Sequence, residues 1–166
     1  GINMKVQFNL TTSYEDLNRF ESRADLLDLM RGFNGVELMQ FEDDVRGIIP
    51  QERVIGLHMS YFPYWIDFWN GDLDAVRKEF DTLEAACQYY GGSDRSAIIN
   101  RYRKDLEYAH RWGAEYVVFH VSEAAIAETF HLKYRHTDDE MIDATIELLN
   151  ELFAGEDGSV ALLMEN

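Results

Sequence analysis

The chain has 166 residues, 46% hydrophobic and 13% aromatic, which is enough apolar mass to bury a core and too much for a disordered segment. Its formal charge of −16, from 31 acidic against 15 basic residues, repels phosphate backbones and anionic membranes and so disfavours a nucleic-acid partner. No run reaches the roughly 18 consecutive apolar residues of a membrane helix, and the first residues lack a basic region followed by an apolar stretch, which predicts a soluble, cytoplasmic protein without a membrane partner.

In chain order, "GIN" at 1–3 reads as a scar ahead of Met4, and "KVQFNL" (Lys5 to Leu10) as the first strand. Ser13 then caps a helix over "YEDLNRFESRADLLDLMRG", where Leu17, Phe20, Leu26, Leu27 and Met30 recur near a 3.6-residue period until Gly32. "GVELMQF" (Gly35 to Phe41) is the second strand. The gap "EDDVRGIIPQER" has room for one turn of helix, and "VIGLHMSY" (Val54 to Tyr61) is the third strand. Directly after it comes "YFPYWIDFWN", Tyr61 to Asn70, whose six aromatic residues lack helical regularity. It reads as a loop in which Tyr61, Trp65 and Trp69 wall a pocket and stack on substrate, or pack against another subunit.

A helix opens at Asp72 and runs to the paired Gly91 and Gly92; Ser93 or Asp94 caps the next, "RSAIINRYRKDLEYAHRWG". The lone Cys87, in "LEAACQYY", fits a reducing compartment and reads as a small buried helix residue rather than a nucleophile. "EYVVFHVS" (Glu115 to Ser122) is the fourth strand. Thr137 and Glu140 form a capping box for "TDDEMIDATIELLNELFAG", and "VALLMEN" (Val160 to Asn166) is the fifth strand. His110 on a helix and His131 and His136 in a polar loop read as surface residues.

Five strands alternating with helices predict an α/β fold with a parallel sheet and right-handed crossovers. With two prolines, Pro50 and Pro63, and no linker-like stretch, residues 1–166 read as one domain. Either an open doubly wound sheet or part of a (β/α)8 TIM barrel satisfies the pattern. A barrel takes about 250 residues, so this chain would carry about its first five strands.

Residues two apart on a strand share a face. His58, His120 and Glu165 therefore each sit near the C-terminal end of a strand, where parallel α/β proteins build their sites. Gln7 and Asn9 on the first strand and Glu37 on the second add polar groups to the same interior. Two imidazoles and a carboxylate make a partial shell for a divalent ion, Mn, Zn, Mg or Co, because a buried unpaired carboxylate needs a partner. The plainer alternative makes His58 and His120 hydrogen-bonded core residues and Glu165 a solvated strand end.

At "GVEL", "LHMSY", "VVFH" and "LLMEN" the chain resembles the xylose-isomerase-like TIM barrels, the superfamily that joins sugar isomerases and epimerases with endonuclease IV (AP endonuclease family 2). The resemblance implies metal ligation by His58, His120 and Glu165, a proton-transfer role for Glu165 as catalytic residue beside a metal-polarised carbonyl or enediol, and a pocket lined by Glu37. Asn9, Tyr61, Trp65 and Trp69 then join Glu37 as candidate substrate-binding residues for a sugar-like molecule. "HVSEAA" stands where endonuclease IV-like proteins carry His-Pro-Gly, and the acidic charge opposes a DNA-binding face. The family's later ligands belong to strands six to eight, so the resemblance implies a site incomplete within this chain. Three readings follow: a metal-dependent isomerase or epimerase, a zinc-dependent phosphodiester hydrolase, or a truncated non-catalytic barrel whose open edges drive homo-oligomer formation.

Overall fold

A computed structural model describes residues 6–121 and 136–165. The expected scar at 1–3, the expected strand residues Lys5, Ser122 and Asn166, and His131 lie outside the described residues. Five parallel strands form one sheet in the order β1-β2-β3-β4-β5: β1 (Gln7–Thr11), β2 (Gly35–Met39), β3 (Val54–His58), β4 (Tyr116–His120) and β5 (Ala161–Glu165). All five were expected from the sequence, and the described ends differ by at most three residues, the starts of β2 and β3 coinciding. The register aligns Asn9 with Glu37, Glu37 with Gly56, and Gly56 with Tyr116. Between Val36 and Glu37 the pairing with β3 slips by one residue, a bulge that changes which side chains stand opposite one another.

The chain groups into two compact units. The first comprises Gly1–Met59, Asp105–Phe119 and Asp157–Leu163. Its core is a cluster of Leu10, Leu17, Phe20, Leu26, Met30, Val36, Leu38, Ile48, Ile49 and Val54, all 7% exposed or less, with Phe8 and Trp112 packed against it. Leu26, Val36 and Leu38 are fully buried, and truncating either leucine to Ala costs about 2–5 kcal/mol.

The single helix expected after Ser13 is two, α1 (Tyr14–Leu17) and α2 (Arg23–Leu29). Ser13 caps α1 as expected, its side chain accepting from the Asp16 amide at 3.2 Å. The break follows from a partner far along the chain: Arg46 donates to the Leu17 and Phe20 carbonyls at 2.8 and 3.0 Å, oxygens that a continuous helix would have used itself. Polar side chains also hold the β2–β3 connection. Asp44 accepts from the Ile48 and Ile49 amides, Arg23 donates twice to the Gly47 carbonyl, and buried Thr12 accepts from the amides of Phe41 and Glu42. The one helical turn there is the short 3-10 segment Gln51–Arg53.

The second unit comprises Ser60–Lys104, His120–Glu156 and Met164–Asn166. Here the expected helix from Asp72 is also two, α4 (Leu73–Phe80) and α5 (Leu83–Tyr90), separated by Asp81 at φ +67°. Thr82 starts the second by accepting from the Ala85 amide at 3.1 Å, and Gly91, left-handed at φ +85°, ends it. Asp94, one of the two residues expected to cap the following helix, accepts from the Ser96 amide at 2.9 Å where α6 (Ser96–Trp112) begins. Thr137 caps α7 (Asp138–Phe153) through the Glu140 amide, but Glu140 turns its carboxylate to Nδ1 of His136 at 2.6 Å. None of the described helices is long and apolar enough to cross a membrane.

Candidate functional site

β4 and β5 deliver His120 and Glu165 to their C-terminal ends because the side chains of each strand alternate and the two are the last strand residues. The strand tips are tied together by the Val121 amide, which donates to the Glu165 carbonyl at 2.8 Å. Ligand atoms of His120 and Glu165 lie within 4.8 Å of each other, His120 half-buried and Glu165 exposed. Two donors on one zinc stand at most about 4.2 Å apart when each bond is about 2.1 Å, so this pair fits a common ion with a small side-chain adjustment. Tyr61 lies against His120, ring centroids 5.4 Å apart and edge-on, and is 43% exposed.

Within the first unit, His58 ends β3 and its Nε2 pairs with Oε1 of Glu37; both side chains are more than four-fifths buried. The other oxygen of that carboxylate, Oε2, accepts from the Tyr116 hydroxyl at 2.5 Å. Burial, then the hydrogen bond to Glu37, then the charges of Glu37 and Glu115 push the Tyr116 phenol well above the usual tyrosine range. Asn9 stands in register with Glu37 but is exposed. Gln7 keeps its amide oxygen buried without a hydrogen-bond partner among the described residues.

No family model, curated protein or solved structure matches this chain. The resemblance to the xylose-isomerase-like barrels thus rests on the short strand-end motifs.

The aromatic segment corrects the sequence reading. Its second half is not a loop but α3 (Ile66–Asn70), ended by Gly71 in the left-handed conformation, and Trp65 and Trp69 are 4% and 2% exposed. A helix buried on all sides needs no amphipathic period, which is why "YWIDFW" looked irregular. Trp65 meets Trp69 edge-on, the Arg95 guanidinium lies 3.8 Å from the centre of the Trp69 ring, and Phe68 stacks on Tyr90 at 4.0 Å. These rings build the core of the second unit, and of the three aromatic residues singled out only Tyr61 presents substantial surface.

The same segment holds a cluster that the sequence reading missed. Asp67, 1% exposed, accepts from the Tyr64 hydroxyl on one oxygen and pairs with Nε2 of His136 at 2.9 Å on the other. His136 is therefore not the surface residue it was expected to be: its side chain is 12% exposed and lies between the carboxylates of Asp67 and Glu140. One signal was available, since a lone Asp inside an aromatic run requires a buried partner.

Proposed function

We propose that the chain carries part of the metal centre of a sugar or sugar-like isomerase or epimerase, built on strands of a (β/α)8 barrel. The observation that carries this reading is the His120–Glu165 pair, with ligand atoms inside 4.8 Å at the ends of two neighbouring parallel strands. His58, at the end of β3, is the further ligand that the resemblance implies. Nitrogen donors beside a carboxylate suit Mn, Zn or Co better than the all-oxygen shells preferred by Mg. The strand order supports a barrel: it runs 1-2-3-4-5 without the reversal that defines a doubly wound sheet. The charge of −16 opposes the alternative of a DNA-cleaving enzyme.

A divalent ion bound here would polarise a carbonyl or enediolate oxygen. Glu165, exposed at its strand tip, would ligate the ion and exchange a proton at the adjacent carbon. His120 would bind beside it, with the ring of Tyr61 against one side of the imidazole.

The test is calorimetric titration of the purified chain with Mn²⁺, Co²⁺ and Zn²⁺ in turn, alongside incorporation of solvent deuterium next to the carbonyl of a ketose panel. Glu165→Gln should weaken metal binding at least tenfold and abolish exchange while leaving the circular dichroism spectrum unchanged. Absence of metal uptake by the wild-type protein, or unaltered uptake in Glu165→Gln, overturns the assignment.

A further inference from the structure

Three residues stand abreast across β2, β3 and β4: Glu37, Gly56 and Tyr116. A Cβ built on Gly56 would lie 2.3 Å from both Cε2 and Cζ of the Tyr116 ring. The phenol thus lies across the bare backbone of β3, and only a glycine at position 56 lets it reach Glu37 on the far strand. Two residues further along β3, on the same face, His58 takes the other oxygen of the same carboxylate. The outcome is a chain of three side chains, phenol to carboxylate to imidazole, drawn from three strands.

We propose that Glu37 and Tyr116 are positioning residues for His58 rather than substrate contacts: Tyr116 fixes the Glu37 carboxylate, and Glu37 fixes the ring orientation and tautomer of His58 for metal ligation. This rests on the metal-centre reading above and changes the role that the resemblance implied for Glu37. A carboxylate facing Nε2 favours the tautomer with its proton there and its lone pair on Nδ1. Such outer partners typically contribute 10–100-fold to metal affinity. Tyr116 adds a second restraint. A carboxylate held only by an imidazole can swing about its side-chain torsions, whereas one gripped on both oxygens cannot.

The experiment has two readouts. In the metal-free protein, ¹⁵N chemical shifts of the imidazoles, with His58 assigned by comparison with His58→Ala, report which ring nitrogen carries the proton. Wild type should show His58 as the Nε2–H form, and Glu37→Gln should disturb that preference. In titrations with Co²⁺ alone, Glu37→Gln should bind about 10–100-fold more weakly, Tyr116→Phe and Gly56→Ala should fall between it and wild type, and Glu37→Gln should have no further effect in a His58→Ala background. Gly56→Ala displaces the phenol without deleting its hydroxyl, so its agreement with Tyr116→Phe separates the contact from the residue. An Nδ1–H or averaged tautomer in wild type overturns the proposal, as does a Glu37→Gln effect that is undiminished without His58. If wild type binds no metal, the proposed function falls by itself, and the metal-free spectrum still decides whether Glu37 sets the tautomer.

Discussion

Tyr116 shows how a single side chain couples strand packing to protonation. Its phenol is half of a hydrogen bond to a carboxylate, and ionising it would place two negative groups 2.5 Å apart. The folded state therefore keeps this proton at pH values where an unfolded tyrosine, near 10, releases it. Once pH exceeds that unfolded value the native state binds more protons than the unfolded one, so the stability that this proton confers is present below about pH 10 and declines as pH rises beyond it. Urea denaturation of wild type between about pH 9 and 11 should show falling stability, and Tyr116→Phe should show a shallower fall; equal slopes would mean that the phenol does not carry the effect. Of the site residues, those defined by their place on a strand were legible in the sequence. His58, His120 and Glu165 stand where alternation puts them. The pairings were not legible: Glu37, expected from its place on the second strand, bonds Tyr116 79 residues away, and Asp67 bonds His136 69 residues away, separations at which no local pattern carries information.

At the level of elements, the strands were readable because short apolar runs bounded by Gly, Asn or Asp have few other solutions. The helices were readable as helical but not as to where they break. α4 and α5 read as one because their apolar spacing continues through Asp81, and the interruption depends on one residue in the left-handed region followed by a new cap at Thr82. Thr82→Ala removes that cap and should cost about 1 kcal/mol in chemical denaturation. Thr82→Ser, which retains an acceptor for the Ala85 amide, should cost less than half as much; equal losses would show that the hydroxyl is not what holds the break. α3 was missed for the opposite reason: its four buried residues leave no polar face for a periodicity to reveal.

For the molecule as a whole, the parallel sheet was expected, and its sequential order, in which each crossover sets the next strand beside the last, is a finding of the structure. The grouping of residues into two compact units was not expected, because three of the boundaries cut through β4, β5 and α6 rather than falling between elements. The charge of −16 acts at this scale as well. Self-repulsion among surface carboxylates opposes the compact state, and salt screens it once the Debye length falls to about 10 Å near 0.1 M. Raising NaCl from about 10 mM to about 200 mM should therefore increase the melting temperature; a fall would indicate that attractive ion pairs such as Arg95–Glu147 outweigh the repulsion.

The three tryptophans divide between the units, Trp65 and Trp69 in the second and Trp112 in the first. Each unit thus carries an intrinsic optical label. Trp112 donates to Gln40 at 2.7 Å in a partly exposed setting, whereas the other two indoles lie in an aromatic interior with a guanidinium against one of them. The emission of a Trp112→Phe protein reports the second unit alone, and that of a Trp65→Phe/Trp69→Phe protein reports the first. Coincident transitions from the two proteins would identify one cooperative folding body, and separated transitions would rank the units by stability.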